Sequence, residues 1–177
     1  EQYLGIPGSL HTTFAFQKIS ESRIKRLFDS AFRTLQEEQV EVLSMSSIWK
    51  SSPFRGDGWK FEAGLDGQLN DVVSTVKAQD PNGYDIIDPD FGGNLMTRYP
   101  NGGSSMSTFG AFTSAKRLLG GKEFHFGLRY SYTSFEANFL PTESLQLPFS
   151  EVNSAHGALT GSLAAEIPLG ESISSMS

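Results

Sequence analysis

Cysteine is absent from the 177 residues, which excludes a disulfide scaffold, a thiolate metal site and a cysteine nucleophile. Long apolar runs are absent too. Nothing approaches the ~20 residues a membrane-spanning helix needs, so any crossing would have to be made by strands. Lysine and arginine never run beyond two in a row, and the net charge is −6, which argues against a nucleic-acid partner. Enzyme signatures are missing as well: there is no Gly-x-Ser-x-Gly, no phosphate-binding Gly-x-x-x-x-Gly-Lys-Ser/Thr and no His-Glu-x-x-His. Gly102-Gly103-Ser104-Ser105 is glycine-rich, but no lysine follows it. The expectation is no catalytic residue, no cofactor and no metal centre. The opening residues carry no basic-then-apolar leader, and Glu1 is not an initiator methionine, so a processed or truncated start is expected.

What the chain does hold is aromatic and small. Hydrophobic residues reach only 38%, yet 14 are Phe and 18 positions are Gly, which suits sheets with one apolar and one wet face. The clearest strand covers 59–70. Trp59, Phe61, Ala63, Leu65, Gly67 and Leu69 alternate with Lys60, Glu62, Gly64, Asp66, Gln68 and Asn70. That exceeds the ~5–6 residues of a usual strand and matches the ~9–11 of a tilted membrane strand. Phe124, Phe126, Leu128, Tyr130 and Tyr132 alternate in the same way with His125, Gly127, Arg129, Ser131 and Thr133. Leu159, Gly161, Leu163, Ala165 and Ile167 make a third set, and Leu10, Thr12, Phe14 and Phe16 oppose His11, Thr13, Ala15 and Gln17. Segments 39–50 and 106–116 read as strands of ambiguous facing. In the first, the Leu43, Met45 and Trp49 set is preferred as outward over Val40, Val42 and Ile48.

The connections differ in length. A return at 29–36, a loop at 79–105 and a loop at 141–156 alternate with short turns at 51–58, around Gly120-Gly121, and at 168–171. Short turns on one side and long loops on the other match outer-membrane barrels, with the long loops outside. Trp49 and Trp59 flank the turn at 51–58, where an aromatic girdle would sit. About six full strands are expected, with 173–177 opening a seventh. A closed bacterial barrel needs about eight or more, so these strands should pair with further chain.

Several segments resemble the barrel of TonB-dependent receptors, especially their Bacteroidetes-like branch. They are Leu10-His11-Thr12-Thr13-Phe14-Ala15-Phe16-Gln17 running into Ser20-Glu21-Ser22-Arg23, then Glu37-Glu38-Gln39-Val40-Glu41-Val42. Thr97-Arg98-Tyr99-Pro100-Asn101-Gly102-Gly103-Ser104, Leu128-Arg129-Tyr130-Ser131-Tyr132 and His156-Gly157-Ala158-Leu159-Thr160-Gly161-Ser162-Leu163 follow in the family's order. The resemblance implies that residues 1–177 are a middle section of a plugged barrel of roughly 22 strands in the bacterial outer membrane. It also implies a receptor that binds a scarce nutrient (an iron chelate, haem, cobalamin or an oligosaccharide) and imports it with energy passed through TonB. The plug domain, the TonB-contacting segment and the terminal strands are not among these residues. Implied partners are outer-membrane lipid, the remaining barrel and plug, TonB, and possible surface or envelope proteins. Two other readings stay open: a structural barrel of an envelope assembly, and a soluble β-sandwich whose Phe124–Tyr132 apolar set meets a second sheet.

Candidate residues follow from that frame. His11, Lys60, Glu62, Asp66, Gln68, Asn70, His125 and Arg129 are expected to face the lumen, and Trp49 and Trp59 to form the girdle. Tyr84, Arg98 and Tyr99 are the expected substrate contacts at the outer mouth, since aromatics and arginine make favoured anchors. Asp85, Asp88 and Asp90 offer oxygen ligands for Ca²⁺ but lack regular loop spacing, so a solvated acidic loop is expected. His11 and His125 are expected to meet a plug or polar lattice rather than a metal, and His156 to close an outer loop.

Overall fold

The alternating segments all become strands. A computed structural model of the chain describes residues 8–28, 30–51, 58–86, 95–141 and 146–168. Six strands form: β1 (Gly8–Lys25), β2 (Arg33–Ser51), β3 (Trp59–Gln79), β4 (Ser104–Leu119), β5 (Lys122–Asn138) and β6 (Glu151–Glu166). They make one open sheet in sequence order, each antiparallel to the next. The chain is therefore all-β over the described residues, with strands of 16 to 21 residues.

An up-and-down meander puts alternate connections at opposite ends. The β1–β2, β3–β4 and β5–β6 connections share one end, called here the long-loop end. The β2–β3 and β4–β5 connections share the short-turn end. The β4–β5 hairpin has a two-residue loop, Gly120-Gly121, with φ of 58° and 78°. Positive φ at both positions gives a turn whose twist matches that of the strands it joins, and glycine adopts it without a steric penalty. Leu119 and Lys122 pair directly across it. Residues 52–57 of the other short turn, and 169–177, lie outside the described residues.

Register sorts the side chains into two faces. Leu10, Trp49, Ala63, Thr113, Leu128 and Gly161 form one row across all six strands. The next rows are Thr12, Ser47, Leu65, Ala111, Tyr130 and Leu159, then Phe14, Met45, Gly67, Phe109, Tyr132 and Gly157. This apolar face carries the Trp49 set of β2, as expected from the sequence. The ambiguous β4 resolves too: Phe109 and Ala111 lie on the apolar face, Met106 and Phe112 on the polar one. Two rows further toward the long-loop end the apolar band stops. Lys18, Glu41, Asp71, Ser105, Glu136 and Asn153 make a polar row across every strand. Lys18 Nζ there donates to Glu41 Oε1 at 2.7 Å.

β1 and β6 are exposed on both faces, but across β2 to β5 burial runs opposite to that of a water-soluble sheet. On the apolar face Phe61, Leu65, Leu69, Phe126, Leu128, Tyr130 and Tyr132 are exposed. On the polar face Glu62, Asp66, Asn70, Glu123, His125, Arg129 and Thr133 are half-buried, and Glu38, Gly64, Ser74 and Gly110 are buried. The buried hydrophobic residues among those described are Ala78 and Ala137. Ordering a strand residue costs ~1–2 kcal/mol, and apolar burial is the main term that offsets it. Two fully buried alanines supply little of that, and much of the apolar face is exposed.

The strands outrun the sequence expectation at the long-loop end. β2 starts at Arg33 where the return was expected to last to 36. β3 runs to Gln79, well past 70, and β6 begins at Glu151, inside the expected loop 141–156. In these extensions both faces carry polar residues, so alternation of hydrophobicity vanishes while the backbone ladder continues.

Candidate functional site

The eight residues expected on one wet face do share one face. His11, Lys60, Glu62, Asp66, Gln68, Asn70, His125 and Arg129 all fall opposite the apolar rows. At the centre, Arg129 Nη1 donates to Asp66 Oδ2 at 2.9 Å and Nη2 to Asp66 Oδ1 at 2.8 Å. Nε donates to Ser131 Oγ at 2.9 Å, so three donors of the guanidinium are held. The pair bridges β5 to β3 and must cross β4 on the way. Gly110 makes the crossing possible, because a Cβ there would run into the Arg129 guanidinium. Gly64 serves Phe112 in the same way: an added Cβ would sit 2.5 Å from the Phe112 ring. The Arg129 guanidinium also lies 5.8 Å from the Phe112 ring centroid.

At the short-turn end, Glu123 has two basic neighbours. Lys116 pairs with its carboxylate, and His125 Nε2 lies 2.7 Å from Oε1. Ligand atoms of Glu123, His125 and Glu166 come within 4.8 Å of one another, a grouping the sequence reading did not foresee. The Lys116 ammonium already occupies the central carboxylate. On the apolar face at this end, Arg117 sits 5.1 Å over the Trp59 ring, and Trp59 stacks on Phe61 with centroids 5.7 Å apart. Trp49 lies on the same face, paired with Leu10 and Ala63.

The long-loop end holds a cavity. Residues 95–101 fold back over the polar face of β2 and β3 rather than away from the sheet. Gln36 Nε2 donates to the Met96 carbonyl at 3.0 Å, and Arg98 Nη1 donates to Glu38 Oε2 at 3.4 Å. Thr97 Oγ1 closes on the Tyr99 carbonyl at 2.6 Å. The segment is pinned at its far end by a β-turn, Gly103 N–H to Pro100 O at 2.9 Å. In that turn the side chain of Asn101 takes the place of a backbone partner, Nδ2 donating to Leu140 O and Oδ1 accepting from Leu140 N–H, both at 2.8 Å. Between this segment and β3 is a cavity of about 560 Å³, lined by Ser74, Val76, Met96, Arg98, Tyr99 and Phe139 among others.

Of the three expected substrate contacts, the fold therefore brings Arg98 and Tyr99 together in one cavity wall. Tyr84 is separate. It stands exposed beyond the end of β3, in a turn built by Asp80. Asp80 Oδ1 accepts from Tyr84 N–H at 2.8 Å, and this bond holds the carboxyl below its usual range. Asp85 pairs with Gln79 Nε2 at 2.9 Å and with Lys77 at 3.4 Å, and its carboxyl too is lowered, chiefly by Gln79. Asp88 and Asp90 lie outside the described residues. His156 is not in a loop: it sits in β6 opposite Thr133, with Nε2 2.8 Å from Ser154 Oγ.

Glu38 and Ser74 were missed as site residues. Extending the parity of the outward Trp49 set back along β2 would have put Glu38 on the polar face. Ser74 lay beyond the expected end of its strand. Neither a family model nor a curated protein matches the chain.

Proposed function

We propose that the chain is a section of an outer-membrane β-barrel receptor that resembles the middle of a TonB-dependent transporter. One observation carries this reading: across β2 to β5 the apolar face is the more exposed and the polar face the more buried. A barrel in lipid needs that sorting, because hydrocarbon lies outside and water or a plug inside. The dimensions support it. From Trp59 to Leu69 the apolar side of β3 spans about 33 Å along the strand, or about 23 Å of depth at a ~45° tilt, close to the ~25 Å apolar band of such barrels.

In this reading the Lys18–Asn153 polar row marks the outer membrane boundary, and β1 to β3 continue beyond it toward the cell exterior. Trp49 and Trp59 belong to the periplasmic girdle. The eight polar-face residues line the lumen, where Asp66–Arg129 cross-braces the wall. Edges β1 and β6 pair with further chain of the same barrel. The cavity holding Arg98 and Tyr99 opens at the external mouth, the position a nutrient would reach first. Import driven through TonB follows from the family resemblance.

A second reading has one observation in its favour. The apolar face carries an open depression lined by Leu10, Trp49, Leu65, Tyr130 and Leu159, which a second sheet of a water-soluble sandwich could fill. Intact-mass analysis of the protein purified in detergent separates the two. The barrel reading expects a species several times the 19.4 kDa of this chain that needs detergent to stay dispersed. A folded 19.4 kDa species in plain buffer would overturn it.

A further inference from the structure

We propose that the short-turn end of the apolar face holds the phosphodiester of an anionic phospholipid; this rests on the reading of that face as lipid-facing and names the lipid it selects. Register sets Trp59, Arg117 and Phe124 in one row there, and Leu119 and Lys122 in the next row toward the turn. Arg117 and Lys122 are therefore diagonal neighbours across the β4–β5 hairpin, about 7–8 Å apart at the backbone. Two long basic side chains at that spacing can close on one phosphate, the guanidinium through a fork of N–H donors and the ammonium as a point charge. Neither is paired with a carboxylate among the described residues. Glu123 and Glu166, the acidic residues nearest in register, lie on the polar face. Arg117 is half-buried with its guanidinium 5.1 Å over the Trp59 ring, and Lys122 is exposed.

Depth places these cations at headgroup level. Trp59 lies six residues from Leu65, which is near the middle row of the apolar band. That is about 20 Å along the strand, or about 14 Å of depth at ~45° tilt, against a band half-height of about 12 Å. The Trp59–Arg117 row thus falls just past the hydrocarbon, within the ~5–8 Å layer of headgroups, and Lys122 sits about 5 Å further out. Tryptophan favours that level, and basic side chains there attract anionic lipid. A zwitterionic lipid would bring its own ammonium up against two unpaired cations. The other boundary has the opposite character. Asp71, six residues from Leu65 in the other direction, shares its row with Glu41 and Glu136, and the one cation of that row, Lys18, is 2.7 Å from Glu41. At equal depth, an anionic headgroup is attracted at the short-turn boundary and repelled at the long-loop boundary.

The test compares two sites on β4, Ala115→Cys and Ser107→Cys, each one row inside its boundary on the apolar face. The full-length protein, with cysteines elsewhere replaced, carries a fluorophore at one of them in phosphatidylcholine vesicles. Quenching is measured with equal mole fractions of phosphatidylglycerol or phosphatidylcholine brominated near the top of the acyl chains. At 115, phosphatidylglycerol should quench as though locally enriched, with Arg117→Gln and Lys122→Gln each lowering the enrichment about fivefold. At 107 no enrichment is expected, and Lys18→Gln should leave the result at 115 unchanged. No enrichment at 115, equal enrichment at both sites, or enrichment that survives both substitutions would overturn the proposal. Quenching by both lipids without headgroup preference refutes the phosphate site and leaves the barrel standing. Quenching by neither lipid at either site removes the barrel reading beneath it.

Discussion

Leu65, Leu69 and Val73 project from the same face of β3 and are almost equally exposed, at 45%, 52% and 55%. In water, replacing any of them with arginine would cost little, and the three costs would be alike. In lipid they part company. Leu65 lies near the middle row of the apolar band, Leu69 in its last row, and Val73 beyond the polar row that holds Asp71. Leu65 to Leu69 is about 13 Å along the strand, or about 9 Å of depth at ~45° tilt, against a band half-height of about 12 Å. Leu65→Arg should therefore cost ~2–4 kcal/mol, Leu69→Arg ~0–1 kcal/mol, and Val73→Arg nothing measurable. The assay is denaturant unfolding of the full-length protein in lipid vesicles, followed by tryptophan fluorescence and gel mobility. Three equal costs, or a larger cost at Val73 than at Leu65, would refute the assignment of this face to lipid.

Further tests address other parts of the sheet. Gly120→Val forces a branched side chain into φ of 58°, so the β4–β5 hairpin should lose ~1–2 kcal/mol, seen as a lower unfolding midpoint. An unchanged midpoint would mean the turn does not hold that conformation. Asp66 and Arg129 are each more than a third exposed, so a double-mutant cycle with Asp66→Asn and Arg129→Gln should give a coupling of about 1 kcal/mol or less; several times that would contradict the half-open setting. Asp80 is held below its usual pKa by the Tyr84 N–H, so its contribution to the turn is present above the ordinary carboxylate pKa and lost as pH falls through the lower folded value. Protection of the Tyr84 amide from hydrogen exchange, taken relative to the unstructured rate at the same pH, should persist through the ordinary carboxylate range and fall on further acidification. Asp80→Ala should remove that protection at neutral pH.

Alternation made β3 and β5 legible, because one side had to be apolar and the other wet along Trp59–Leu69 and Phe124–Tyr132. It failed where that constraint lapses. Val72, Val73 and Val76 sit on both faces beyond the polar row, so nothing in the hydropathy of 71–79 announces a strand. It was also ambiguous at β4, where Phe109 is on the apolar face and Phe112 on the other. What seats Phe112 is a glycine on the neighbouring strand, Gly64, and what lets Arg129 reach Asp66 is Gly110. Such cross-strand accommodation has no signature within a single strand. The cavity was half legible. Arg98 and Tyr99 stood out as anchors near a loop end, but Glu38 lies 60 residues from Arg98 in the chain, and only the fold joins them.

In the proposed barrel one face of this sheet meets lipid and the other does not. Because the 177 residues contain no cysteine, single cysteines at 61 to 69 of β3 can each carry a nitroxide label, provided any cysteine elsewhere in the full-length protein is first replaced. In vesicles, labels at 61, 63, 65, 67 and 69 should be accessible to oxygen and labels at 62, 64, 66 and 68 shielded from it. Uniform accessibility to a water-soluble nickel chelate along the whole run, or the opposite phase, would contradict that assignment of faces.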